Sequence, residues 1–191
     1  LLESYDAKIA AQVRSGEEKV DSYEDMLGTY LVKLSRESLS GEASHGVSLL
    51  LHSIGDFERI SDHAVNLCEV ADEIHAKKVT FSPEAAREIQ TMKQALTEIL
   101  NLTVEAFAHN DLEAARSVEP LEQVVDALGE IMKTNHIKRL QENRCTIETG
   151  FIYADLITNC ERVADHCSNV AVSMLRINDD SLDAHKYLAQ V

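Results

Sequence analysis

The sequence predicts an all-α protein. Three observations carry that expectation. Pro (two) and Gly (seven) are scarce in a chain of 191 residues, Trp is absent, and Ala, Leu, Glu and Asp are abundant. Apolar residues recur at intervals of three and four rather than two, as in Leu50, Ile54, Phe57, Ala64, Cys68 and Ala71. Helix start and stop signals separate the periodic segments.

In chain order, a first helix is predicted over 17–38, followed by a Gly-flanked loop, LSGEASHG, at 39–46. A long helix then runs to Lys78. The run TFSPEAAREI places Ser82 at an N-cap, Pro83 in the first helical position and Glu84 in the first turn. Ile89, Met92, Leu96, Ile99 and Val104 keep a helical rhythm from there to Ala108. The triplet His109–Asn110–Asp111 breaks it, and Asp111 caps a short helix. Glu119–Pro120 closes that helix and opens the next, which runs to Asn143. A last long helix covers 146–177, and 181–190 reads as a short terminal one.

The net charge of −15 makes the surface repel nucleic acids and acidic lipid headgroups and attract cations. Four cysteines, at 68, 145, 160 and 167, form no Cys-x-x-Cys pair, so a zinc knuckle is not indicated. Cys68 and Cys160 sit in apolar helical patterns and read as buried free thiols, which suits a reducing compartment. No apolar run is long enough to span a bilayer, so direct membrane insertion of this segment is not expected.

FERISDHAVN (57–66) and CERVADHCSN (160–169) share Glu-Arg-x-x-Asp-His-x-x-Asn at an offset of 103. Upstream, EEKVD (17–21) aligns with EQVVD (122–126) at an offset of 105. The chain therefore reads as a tandem repeat of helical units, 1–80 and 81–191, each with two Glu-x-x-x-Asp pairs on successive helices. Residues four apart share a helix face. Glu17, Asp21, Glu58 and Asp62 can then converge in one unit, and Glu122, Asp126, Glu161 and Asp165 in the other. Clustered carboxylates oppose packing unless a cation lies between them. Oxygen-only ligands suit Mg²⁺, Ca²⁺, Mn²⁺ or ferric iron better than Zn²⁺. His63 and His166 point about 100° away from their Asp neighbours and read as hydrogen-bonded residues of a helix interface. Asn66 and Asn169 read as bonding a neighbouring helix. Support of the ligands is the alternative role for all four. A carboxylate-bridged di-metal enzyme is disfavoured. Its Glu-x-x-His signature occurs only as Glu42–His45, in the expected loop, and in weakened form as Asp72–His75. No nucleophile elbow or Gly-rich phosphate loop appears, so no catalytic residue is assigned.

DFERISDHAVNL and NCERVADHCSNV, with EEKVD and EQVVD upstream, resemble the paired signatures of PhoU proteins over nearly the whole chain. The resemblance implies two three-helix bundles related by a pseudo-twofold axis, metal clusters, often of iron, on the eight carboxylates named above, and a regulatory role in phosphate homeostasis. YEDMLGTYLVKLS followed by LLHSIGDFERISDHAVNL is similar to the PhoU-like cytosolic tail of bacterial sodium-dependent phosphate cotransporters. That likeness implies a membrane transporter domain as partner, in the same chain or a separate one, at the cytoplasmic face of the membrane, with homo-oligomers also open. A free-standing regulator of an ABC phosphate transporter and its sensor kinase is the second reading. One departure stands out. Residues 1–15 align with 106–120, so the first unit lacks a counterpart of helix 83–108. Either it lies upstream in a longer parent chain, or other residues replace it.

Overall fold

The computed structural model describes residues 1–178, with side chains through Ile177; the terminal helix expected at 181–190 lies outside them. Within that range the chain is helical, with no strand. The helices are α1 (Ala7–Leu34), α2 (Gly41–Lys77), α3 (Pro83–His109), α4 (Leu112–Arg116), α5 (Val118–Gln141) and α6 (Ile147–Asn178).

The caps follow the side chains that can make them. Ser82 accepts from the Ala85 amide at 3.2 Å ahead of Pro83, and the Asp111 carboxylate accepts from Glu113 and Ala114 at 3.0 Å. Lys78, Asn110 and Asn143 leave their helices with φ of 50–54°. The amide after each bonds a carbonyl five residues back: Val79 to Ile74, Asp111 to Ala106, Arg144 to Arg139. This closes the last turn in the left-handed manner.

The first helix and the stretch after it differ from the sequence reading, and α1 also ends at Leu34 rather than at 38. α1 starts ten residues early, at Ala7, because Asp6 accepts from the Lys8 amide at 2.8 Å. The stretch 39–46 is not a loop: Ser40 caps α2 at the Ala43 amide, 3.3 Å away, and Gly41 and Gly46 are carried inside the helix. Glu42 and His45 therefore lie in its exposed first turns.

α1 and α2 form an antiparallel hairpin, with Arg14 paired to Asp72 near one end and Gly28 against Ile54 near the other. α5 and α6 form a second hairpin, and α3 lies against both of its helices. The hairpins meet where α2 crosses α6 antiparallel. The main core gathers Met92 and Ile99 of α3, Val125 and Met132 of α5, and Leu156 and Cys167 of α6. Two departures from the expected stripes mark where this core lies. On α3 the inward residue is Thr103, not Val104, which is 50% exposed. On α2, Leu50 and Ala64 face outward.

The thiols follow the core. Cys68, Cys160 and Cys167 are buried, and Cys145 is half-buried. Burial pushes the Cys160 thiol up to about 12 and the Cys167 thiol up to about 11. A disulfide-exchange reagent should therefore label one thiol, Cys145, quickly in the folded protein and the other three only on unfolding. Fast labelling of Cys160 or Cys167 would contradict this packing.

Candidate metal centre

The duplicated motif lands where α2 and α6 cross, and the pseudo-twofold relation can be checked bond by bond. His63 Nδ1 lies 2.9 Å from Asn159 Oδ1, and His166 Nδ1 lies 2.9 Å from Asp56 Oδ1. Both residues of the first pair map onto the second at the offset of 103. The two imidazoles stack with centroids 5.8 Å apart. Asn66 Nδ2 reaches His63 at 3.4 Å, and Asn169 Nδ2 donates to Asp56 at 3.2 Å. The two histidines, turned off the carboxylate row, and Asn169 thus join the hairpins, whereas Asn66 bonds His63 of its own helix and not the neighbouring helix that was expected. Arg59 donates to Asp62 at 2.9 Å, and Arg162 donates to Asp165 at 3.2 Å, again at the same offset.

The carboxylates separate into an assembled set and an unassembled one. In the second half, one oxygen from each of Glu122, Asp126 and Asp165 lies within 4.8 Å of the other two. Glu122 and Asp126 are one turn apart on α5, and the antiparallel α6 brings Asp165 between them. Burial pushes the Glu122 carboxyl above its usual range, and the charges of Asp126, Glu119 and Asp165 add to the rise. Each such like-charge pair costs roughly 1–4 kcal/mol between the limits of bulk water and a protein surface. The site opens on an acidic groove that Glu119, Arg162 and Asn169 also line.

Glu161, the fourth expected ligand, is engaged elsewhere. Lys133 donates to both of its oxygens, at 2.8 and 3.0 Å, and the side chain lies over Gly129, where a Cβ would collide with its carboxylate. Neither Gly129 nor Lys133 is part of the repeated motif. Lys133→Ala should release Glu161 toward the cluster and tighten cation binding. Isothermal titration with Ca²⁺ or Mn²⁺ would measure it, and unchanged or weaker affinity would show that Glu161 belongs to Lys133.

In the first half the four candidates do not gather as closely. Glu17 is half-buried and Asp21 exposed on α1, and among the described residues no three of these carboxylates come within 4.8 Å of one another. The Glu58 carboxyl is raised by burial first, then by Asp62, and Glu24 also adds to the rise. Glu24 was not among the expected ligands. It stands where the second half has Gly129, at the offset of 105, so one half faces its inner Glu with a carboxylate and the other with a glycine and a lysine.

The donor set is oxygen only, and Glu122 and Asp126 are spaced to bridge. It fits a hard cation such as Ca²⁺, Mg²⁺, Mn²⁺ or ferric iron.

The PhoU domain family matches this chain over residues 1–71 and 89–174. The chain belongs to the PhoU family. This places it among the regulatory proteins of phosphate homeostasis. Its relatives include the phosphate-specific transport system accessory protein PhoU homolog 1 of Thermotoga maritima, 21% identical over 178 residues, which are 92% of this chain and 75% of that protein. They also include the putative inorganic phosphate export protein YjbB of Salmonella typhimurium, 25% identical over 160 residues, 83% of this chain but 30% of that longer protein. The crystal structure of PhoU from Pseudomonas aeruginosa superposes with a TM-score of 0.82 at 21% identity, covering 90% of this chain and 82% of that one. The likeness at that identity is one of fold. Among the described residues of this PhoU protein, no helix is long and apolar enough to cross a membrane.

Proposed function

We propose that this chain is a cation-binding regulatory domain that acts on a phosphate transporter from the cytoplasmic side. The observation that carries the reading is the convergence of Glu122, Asp126 and Asp165 within 4.8 Å. A cation held there ties α5 to α6 and so sets the shape of the groove beside it. The domain reads as the cytosolic part of a sodium-dependent phosphate cotransporter. Support comes from the match to only 30% of an export protein of which this chain resembles one part. The free-standing regulator remains the second reading, because the chain also spans 75% of an accessory protein. In both readings the carboxylates bind a cation and perform no chemistry.

Phosphate uptake and efflux in cells test this. With the chromosomal copy changed to Asp126→Asn/Asp165→Asn, phosphate flux should lose its response to external phosphate while the protein stays at its normal level. Unaltered regulation in cells carrying the double variant would overturn the role given to the site.

A further inference from the structure

At the turn between α5 and α6 lies a pocket of about 200 Å³, with Ser82, His136, Arg139, Arg144, Thr146 and Thr149 in its lining. Among the described residues no carboxylate lines it, although the chain carries 33 acidic side chains against 18 lysines and arginines. The acids that pair with the two arginines stand outside the lining: Arg139 bonds Glu88, and Arg144 pairs with Glu84 and Glu142. A guanidinium has more N–H donors than these contacts engage, so donors remain for an acceptor in the pocket. Ser82 caps α3, and Thr146 caps α6 by accepting from the Thr149 amide at 3.1 Å. The positive ends of two long helices therefore border the pocket. The ring of His136 forms part of the wall. Its Nδ1 lies 3.8 Å from Cys145 Sγ, and a Cβ on Gly150 would sit 2.5 Å from its Nε2, so glycine there leaves room for the imidazole. Burial, then Arg139, disfavours the charged form of His136, which leaves it a neutral hydrogen-bonding group.

The hairpin itself does not require these residues. At the repeat offsets of 105 on α5 and 103 on α6, His136 and Arg139 correspond to Leu31 and Leu34, and Thr146 and Thr149 to Ala43 and Gly46. The α1–α2 hairpin is thus built with no basic group and no hydroxyl at any of the four positions. The polar set is an addition of the second half, and it is gathered at one pocket. The volume is below the roughly 300–1,000 Å³ typical of pockets for larger organic ligands, which favours a small ion.

We propose that this pocket binds a small tetrahedral oxyanion of the phosphate class, free or at the end of a monoester. Arg144, Thr149 and the first turns of α3 and α6 hold it, with Arg139, 5% exposed, on the inner wall. The site is separate from the metal centre and depends neither on it nor on the regulatory role given to it.

Cys145 reports on occupancy, because its half-buried thiol lines the same pocket. The full chain, freed of metal by chelator, is labelled with an uncharged disulfide-exchange reagent in inorganic phosphate, in glycerol 3-phosphate and in chloride of equal ionic strength. At about ten times its Kd, the bound compound should slow labelling of Cys145 about tenfold, and chloride should not. Stronger protection by phosphate identifies the free ion as the ligand, and stronger protection by glycerol 3-phosphate identifies the monoester. Arg144→Gln, at an exposed position, should label like wild type in chloride and lose the protection, and Thr149→Val should weaken it. Equal rates in phosphate, monoester and chloride would overturn the proposal. So would full protection retained in both Arg144→Gln and Thr149→Val.

Discussion

Arg139→Ala is expected to lower folding stability by about 3–5 kcal/mol. Arg139 is 5% exposed. Its guanidinium donates to both oxygens of Glu88, at 3.0 and 2.8 Å, and lies over the Tyr153 ring, 5.3 Å from its centroid. Asn135 donates to the same carboxylate at 2.9 Å, and Tyr153 donates through its hydroxyl. Without Arg139 a carboxylate stays between α3, α5 and α6 with neutral donors alone. The pair is not expected to be a large net source of stability, because desolvating two charges offsets most of their attraction. Glu88→Leu/Arg139→Leu should therefore recover most of the loss. The first half already holds Leu34 and Leu50 at the positions of Arg139 and Tyr153. Urea unfolding of the single and double variants checks this; a single variant within 1 kcal/mol of wild type would contradict it.

The same network sets a pH dependence. Burial alone would raise the Glu88 carboxyl, but hydrogen bonds from Arg139, Tyr153 and Asn135 together outweigh it and hold the group below its usual range. A depressed carboxyl contributes stability that is present above its unfolded value, about 4.3, and is lost as pH falls through the lowered folded value. Acid should therefore loosen the α3–α5–α6 packing below about pH 4, and the double leucine variant should be less sensitive.

Asp165→Asn should abolish the stabilisation of this protein by added cation. At a free cation concentration of 100 Kd the wild type should gain about 2.7 kcal/mol, because the ion binds the folded state alone. The variant has lost the one carboxylate that α6 contributes to the cluster within 4.8 Å, so its melting temperature should barely respond. In chelator the order reverses. The variant should then be as stable as wild type or more so, since a like charge beside Glu122 has been removed. Differential scanning calorimetry with and without Ca²⁺ or Mn²⁺ reads both signs. Equal cation-induced shifts in the two proteins would place the bound ion elsewhere.

Much of this fold was legible because its signals are local. Ser82–Pro83 marks the start of α3 by cap and fixed φ, and the duplicated motif marks the crossing of α2 and α6 by its spacing. Helix 41–46 was not legible, since Gly41, Ser44 and Gly46 favour turns and only the Ser40 cap and the length of α2 override them. The candidate site was legible as to its oxygens and not as to their counter-charges. The engagement of Glu161 depends on Lys133, and nothing in the motif names that lysine. The Glu88 network joins residues 51 and 65 positions apart and belongs to no repeat. Symmetry in the sequence predicted two equal clusters. The structure breaks it through Glu24, Gly129 and Lys133, which the motif leaves free to differ.

Anomalous diffraction from crystals of the full chain grown with Mn²⁺ or ferric iron tests the central claim most directly. The account predicts a peak bounded by Glu122, Asp126 and Asp165, with oxygens at about 2.0–2.6 Å, and its loss in Asp165→Asn. A wild-type crystal with bound metal at other residues only, or with none at saturating concentration, would contradict it.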